Sequence, residues 1–264
     1  MIDVKRINIS TLGLSGGLIE ISNSTDCIYV IDSSANIVVK EGVNASFIDT
    51  LRNSNVKLTV ERFAVVNYLV LDSVKTNRVF DVYGELQMTE ILLEETNESL
   101  RVNLDEENSS CNISCLSIAS GMFNNFVQYV SHNKPETFSN IKNVGVSMMG
   151  SKIVFDTTGK ILKGMSKSKC AQLSRGIVMD DKSSVTAKPI LLIDEYDCFA
   201  NHGASIGKMS DEDLFYLMSR GLSKKDAFLL ILKGIIHPFI ESIKIDEIKE
   251  RIEKEVSNLI EKWF

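Results

Sequence analysis

The stretch AKPILLIDEYDCFANHGASIGKMSDEDLFYLMSRG, residues 187–221, holds the point at which the chain changes its pattern. Ahead of it, short apolar or alternating runs recur between Asn, Ser, Gly and Asp. They are GLIEIS (17–22), CIYVID (27–32), NIVVKE (36–41), VKLTVERF (56–63), YLVLDSV (68–74), RVFDVYGELQM (78–88) and SLRVNL (99–104). NISCLSIAS (112–120), NFVQYVS (125–131), NVGVSM (143–148), SKIVFDT (151–157), RGIVMDD (175–181) and PILLID (189–194) follow. Runs of this length with period-two alternation read as strands, and no amphipathic helix separates them. Many short strands at close spacing fit a sandwich, a barrel or a β-solenoid, and without a strict repeat period the pattern leaves all three open. Pro189 falls at the start of a strand candidate, where its missing N–H does least harm.

Beyond residue 207 the pattern is helical. Ser210-Asp-Glu-Asp213 resembles a capping box with Asp in place of the usual Glu or Gln, ahead of Leu214-Phe-Tyr-Leu-Met. Gly221 suits a left-handed cap that ends this helix. Ser223 can cap a second helix carrying Ala227, Leu229, Leu230 and Leu232. In DEIKERIEKEVSNLIEKWF (246–264), Ile248, Ile252, Val256, Leu259, Ile260 and Trp263 form one apolar stripe at helical spacing. The layout is a β-domain over 1–207 followed by a helical segment over 208–264.

The composition, with 44% hydrophobic and 24% charged residues in 264, is that of a soluble globular protein. A net charge of −6, with no basic stripe or interleaved aromatics, argues against a nucleic-acid partner. MIDVKRINIS has no apolar h-region, which predicts no signal peptide and a cytoplasmic location. AFLLILKGIIHPFI (227–240) is too short to span a bilayer, so no membrane association is expected. The Asn-x-Ser/Thr triplets at Asn8, Asn23, Asn44, Asn97, Asn108 and Asn112 read as polar turns in the absence of an export signal. Five cysteines do not suggest a disulfide framework.

The glycines and lysine of GASIGKMS imitate a nucleotide-binding loop. A Walker loop needs four residues between its glycines and Ser or Thr directly after the lysine, so that amides wrap the phosphates and the hydroxyl meets magnesium. Here three residues separate Gly203 from Gly207 and Met209 follows Lys208, so no nucleotide is expected on this chain. Gly203 and Gly207 are read instead as a turn leading from the last strand into the first helix. Cys111 and Cys115 lie on one face of a strand with Ile113 between them and read as core residues, as does Cys27. Cys170 is flanked by Lys167, Lys169 and Arg175, cations that would lower a thiol's pKa; a strand-end thiol beside solvated lysines is the plainer reading. Imidazole beside thiolate is a common donor set for iron or zinc, which draws attention to His202 and Cys198. Asp194, Glu195 and Asp197 need be no more than a solvated acidic turn.

Residues 187–221 carry one further signal. Lys188-Pro189 precedes an apolar strand and an acidic patch. His202-Gly203-Ala204, Gly207, an acidic helix start, Leu214-Phe215-Tyr216 and Ser219-Arg220-Gly221 follow in that order. This run resembles the C-terminal signature of the SufB/SufD family of iron–sulfur cluster assembly proteins, and residues 154–185 resemble the family's last coils more weakly. Glycine at 203, where SufB-type members carry glutamate, tips the likeness towards SufD. The resemblance implies a right-handed parallel β-helix core followed by helices, and a core-only version without the family's N-terminal helical region. It implies a non-enzymatic scaffold or partner subunit that handles a transient iron–sulfur cluster. The implied partners are a SufC-like ABC ATPase together with a second copy or a SufB-type paralogue. His202 matches the proposed cluster ligand. Cys170 lies near the family's sulfur-accepting cysteine and would be sulfur acceptor or ligand, making His202 and Cys170 the implied metal set, with Cys198 secondary. Asp213, Leu214, Phe215, Tyr216 and Arg220 would serve the ATPase contact. The alternatives are a SufD-like subunit that supports a SufB-type scaffold without a cluster of its own, and a carbohydrate-active solenoid, for which no clear carboxylate pair is visible.

Overall fold

A computed structural model describes residues 5–12, 17–71 and 74–263. Its strands run β1 (Arg6–Asn8), β2 (Leu18–Ile21), β3 (Ile28–Ile31), β4 (Ala35–Val39), β5 (Asn44–Asp49), β6 (Asn53–Val60), β7 (Val65–Leu71), β8 (Lys75–Val82) and β9 (Glu85–Leu92). They continue with β10 (Asn97–Leu104), β11 (Ser110–Ser120), β12 (Phe123–His132), β13 (Phe138–Met148), β14 (Lys152–Ile161), β15 (Lys169–Val178), β16 (Ser184–Ile193) and β17 (Phe199–Gly207). Three helices close the chain: α1 (Asp211–Ser219), α2 (Lys224–Glu241) and α3 (Asp246–Glu261).

Each strand pairs in parallel with the strand two places along. The odd strands therefore form one sheet, from β1 to β17, and the even strands form a second, from β2 to β16. The chain alternates between the two sheets, one coil at a time, and so builds a parallel β-solenoid. The open choice between sandwich, barrel and solenoid is thus decided by register. One coil takes 20 residues where Val66 pairs with Leu86, and 31 where Ser139 pairs with Cys170. This widening is why no fixed period is visible in the sequence.

Alternate residues of both sheets face inward, as the pleat dictates. In the narrow coils the interior is apolar apart from one buried charged group around Arg78, and Tyr29, Phe47, Tyr68 and Phe80 follow one another with ring centroids 5.1–5.9 Å apart. One ladder runs Tyr29, Phe47, Tyr68, Met88, Ile113, Ile141, Gln172, His202, passing from aromatic to polar as the coils widen. Cys111 and Cys115 face inward and are fully buried, as their spacing predicted. Cys27 is only half-buried.

The three helices cover the outer face of the odd-strand sheet. Ala227, Phe228, Leu232, Ile236, Phe239 and Ile240 of α2 and Ile248, Ile252, Val256 and Ile260 of α3 share one apolar cluster with Leu71, Ile91, Leu116 and Val146. Leu230 of α2 points outward. The predicted caps are present: the Ser210 and Ser223 hydroxyls accept from the backbone N–H of Asp213 and Asp226, both at 3.1 Å. Gly221 has φ +96°, a left-handed conformation that glycine adopts without strain.

Two sequence expectations near the junction need correction. Gly203 and Gly207 do not form a turn; both lie within β17, whose strand geometry is that of neither a phosphate loop nor a hinge. Pro189 is in the middle of β16 and not at its start. It is tolerated because β16 is the edge of its sheet, where a missing N–H leaves no partner strand unserved.

Candidate functional site

β16 and β17 are the last strands of their sheets, so the final coil has no coil above it. Its inward positions, buried in every earlier coil, are uncovered here. His202 stands on β17 directly above Gln172 and is exposed. Of the other inward positions Ile206 on β17 is 44% exposed; Phe199 on β17 and Ile190 and Leu192 on β16, 40–59% exposed, continue the outward rows of Lys169, Thr158 and Lys160. The wide end of the solenoid is thus an apolar, edge-bearing surface with an imidazole in it.

Cys170 lies one coil below, in register with Ala200 and Ser139, and is fully buried. Activation of the thiol by Lys167, Lys169 and Arg175, the less plain of the two sequence readings, does not occur. Those residues alternate to other faces, and burial pushes the Cys170 thiol up, an effect the Ser139 hydroxyl only partly opposes. The sulfur fills the space opposite Gly159, where an added Cβ would come within 2.4 Å of Sγ and 2.9 Å of the Gln172 Nε2. The fold thus sets Cys170 in the sealed interior and His202 at the open end.

Cys198 begins the last coil and is half-buried. Its thiol donates to the Glu195 carbonyl at 3.2 Å, and burial, Glu195 and Asp197 all raise its pKa. It extends a corner ladder of Ser109, Thr137 and Ser168, each residue immediately preceding an odd strand. The acidic turn beside it is structural. The Glu195 carboxylate accepts from the backbone N–H groups of Gly164, Tyr196 and Asp197 at 2.7–3.0 Å, which hold its pKa down.

In α1, Leu214 packs into the helix–sheet core, while Phe215, Tyr216 and Met218 are 73%, 59% and 43% exposed. Arg220 stacks over Tyr216 with its guanidinium carbon 5.4 Å from the ring centre, and Asp213 is exposed in the first turn. Lys208, the lysine of the loop-like stretch, pairs with Asp181 at 2.6 Å.

Sequence reading missed three interior polar groups. In the middle coils Asp49 accepts from Tyr68 Oη at 2.7 Å and from Arg78 Nε and Nη2 at 3.0 and 2.9 Å, and Arg78 Nη1 meets Glu98 at 2.9 Å. Burial disfavours the guanidinium, but Glu98 and Asp49 outweigh it and hold Arg78 above its usual range. Glu90 lies beside Glu98; burial first, then that neighbour, pushes its carboxyl well up. Glu90 and Glu98 are both buried, so they do not form the accessible carboxylate pair that a glycosidase needs. In the wide coils His132 is fully buried between Thr137 and Ser139. Asn143 donates to Gln128 and Thr157 at 2.8 and 3.1 Å. The signal that could have found these residues is period-two alternation carried by polar residues instead of apolar ones. Among the described residues no three His, Cys, Asp or Glu side chains converge to hold a metal ion, and no helix is long and apolar enough to cross a membrane.

Comparison with known proteins places this geometry. The family model for the SUF system FeS cluster assembly, SufBD core domain, matches residues 20–235. The iron–sulfur cluster assembly protein SufD of Bacillus subtilis is 35% identical over 128 residues, 48% of this chain and 29% of that protein. A SufBD family iron–sulfur cluster assembly protein of Pyrococcus horikoshii is 41% identical over 106 residues, 38% of this chain and 23% of its own length. One from Staphylococcus saprophyticus is 27% identical over 240 residues, covering 83% of this chain and 50% of its own length. The matches thus take in between 23% and 50% of these relatives.

Proposed function

The chain belongs to the SufBD core family of iron–sulfur cluster assembly proteins, and on that premise we propose that it is a non-enzymatic scaffold whose nascent cluster is held at the open end of the solenoid, against a second family subunit. The observation that carries this reading is the uncovered last coil. Two unpaired edge strands side by side, with His202 and Ile206 exposed at inward positions and Ile190, Leu192 and Phe199 exposed on the outer faces, form a surface that a second solenoid can extend by strand pairing. The cluster is cargo at that junction. His202 offers one imidazole, and the remaining ligands come from the facing subunit, a second copy or a SufB-type paralogue. Cys170, one coil below, is the sulfur acceptor. The helical layer offers Phe215, Tyr216 and Arg220 to a SufC-like ABC ATPase, with Leu214 anchoring α1 from beneath. The chain works in the cytoplasm.

Anaerobic reconstitution with ferrous iron and sulfide tests the reading. The wild type, with its partner subunit where one exists, binds both, and His202→Ala and Cys170→Ala each lose most of that capacity. Equal, low binding by all three would leave a supporting subunit with no cluster of its own. Leu192→Asp, on the exposed edge, is expected to abolish the subunit contact while leaving the fold intact by circular dichroism.

A further inference from the structure

A groove of about 590 Å³ lies between the α2–α3 turn and the outer face of the odd-strand sheet. Its floor is built by β3, β5, β7 and β9, four neighbouring strands of that sheet, and its sides by residues 241–245 and the corner ahead of β3. Three strand spacings of about 4.8 Å make the floor about 14 Å long, the span of about four residues of extended chain.

Ser46, Asn67 and Gln87 are register partners and form one row along this floor. The pleat turns them outward, because their neighbours Phe47, Tyr68 and Met88 are buried in the core. The turn is fixed beside them by Ser242, whose hydroxyl lies 3.3 Å from that of Thr89 and donates to the Phe239 carbonyl at 2.6 Å. Asn112 on β11 and Asn140 on β13 continue the row past the groove. Stacked amides can bond to one another, as Asn125 and Asn97 do on the even-strand sheet at 3.2 Å. This row does not. Gln87 turns its Nε2 to the Glu85 carboxylate at 2.7 Å and keeps its Oε1 free. Neither Asn67 nor Ser46 makes a side-chain hydrogen bond among the described residues. Ile28, Leu69, Ile243 and Ile245 add aliphatic surface to the groove. Asp26 and Lys244 are exposed at its rim, and neither has an ion-pair partner among the described residues.

We propose that this groove binds about four residues of an extended segment of a partner protein, with its main chain held by Asn67 and Gln87. A primary amide offers donors and an acceptor together, and so can match a peptide group with two hydrogen bonds. The strands beneath spend their own N–H and C=O groups on the sheet, so the side-chain row has to supply this contact. The aliphatic surface suits an apolar side chain in the middle of the segment. The two rim charges, opposite in sign, suit an acidic and a basic residue at its ends. A sugar is the poorer fit, since Phe47 and Tyr68 are turned into the core and no aromatic platform faces the groove. A nucleic acid would meet one cation there, Lys244, on a chain of net charge −6. The proposal does not depend on where the cluster is held.

The test uses the full chain, labelled with nitrogen-15 and titrated with the capped tetrapeptide acetyl-Glu-Leu-Val-Lys-amide. The side-chain amide signals of Asn67 and Gln87 should move saturably, while those of Asn53, Asn55 and Asn77 on the opposite sheet stay in place. Asn67→Ala, at a half-buried outward position, should keep the fold and weaken binding about tenfold, the loss of two hydrogen bonds. The same peptide methylated on its backbone nitrogens keeps only acceptors and should also bind about tenfold more weakly. Maltose is the polyol control. Movement of the Asn67 and Gln87 signals by maltose and not by the peptide would overturn the peptide class and make this a sugar site. No saturable movement with the peptide would overturn the site. Equal affinity for the methylated peptide, or in Asn67→Ala, would overturn recognition of the main chain by these amides.

Discussion

The narrow and wide coils of the solenoid solve the same packing problem in different ways. Where a coil takes 20 residues, the two sheets are close enough for aromatic and aliphatic side chains to fill the interior from both sides. Where a coil takes 31, strands of 10–11 residues enclose more space, and part of it is filled by polar side chains that hydrogen-bond to one another. Gln128, Asn143 and Thr157 form one such group, and His132, Thr137 and Ser139 another. The wide end is also the uncovered end. The lesson is that uncharged polar groups gather in the wide coils, towards the end where His202 stands, whereas the charged group of Asp49, Arg78, Glu90 and Glu98 is enclosed in the shorter coils.

The largest effect that would sharpen this contrast is at Arg78, the one cation in the polar group of the middle coils. Replacing it with Met leaves Asp49 and Glu98 buried without their partner. Stranding buried charges in this way costs about 3–5 kcal/mol, a large share of a domain's stability. Urea unfolding by circular dichroism should show the loss, or the variant should fail to fold. A change below about 1 kcal/mol would mean that the cluster is hydrated and the middle coils are not sealed.

How far the sequence revealed these regions follows the same division. The narrow coils alternate apolar and polar residues, so most of their strands are legible one by one. NASFID, which became β5, escaped because Asn44 and Ser46 look like turn residues. RVFDVYGELQM, read as one run, is the end of β8, a corner and the start of β9, with Gly84 packed against the Ala64 and Glu61 carbonyls. In the wide coils polar residues face both inward and outward, and the pattern fades. The first half of β15, KCAQLS, read as a polar stretch, and ANHGASIG of β17 read as a loop because no coil above it asks for apolar residues. His202 drew notice as an imidazole close to thiols and again through family resemblance, and His132 through neither route, since its partners come from a corner and from the opposite sheet.

Titration separates the regions by sign. Burial lowers His132 to about 4, below the ordinary value of 6.5. Below pH 6.5 the unfolded chain takes up a proton there and the folded chain does not. The contribution of neutral His132 is therefore present above pH 6.5 and is lost as the pH falls to about 4, by about 3 kcal/mol. Glu90 is shifted the other way: burial raises it, so its contribution is present at low pH and is lost as the pH rises through its folded value. Urea midpoints measured across pH should fall on the acid side in the wild type and less so in His132→Gln. Glu90→Gln should flatten the alkaline side. An acid slope unchanged in His132→Gln would assign the loss to other groups.

The smallest effect lies where the solenoid hands over to its helices. The Ser210 hydroxyl caps α1 by accepting from the Asp213 N–H, two residues after Lys208 and three after the end of β17. Removing a cap of this kind costs about 1 kcal/mol. α1 packs through Leu214 and leaves Phe215, Tyr216 and Met218 outside, so it has little tertiary contact with which to spread that loss. Ser210→Ala should therefore speed amide hydrogen exchange over 211–219 several-fold, with exchange in β11 and β13 unchanged. If exchange in those central strands rose as well, the helical layer would be part of the same cooperative unit as the coils it covers, and the surface offered by Phe215 and Tyr216 would be as rigid as the solenoid itself.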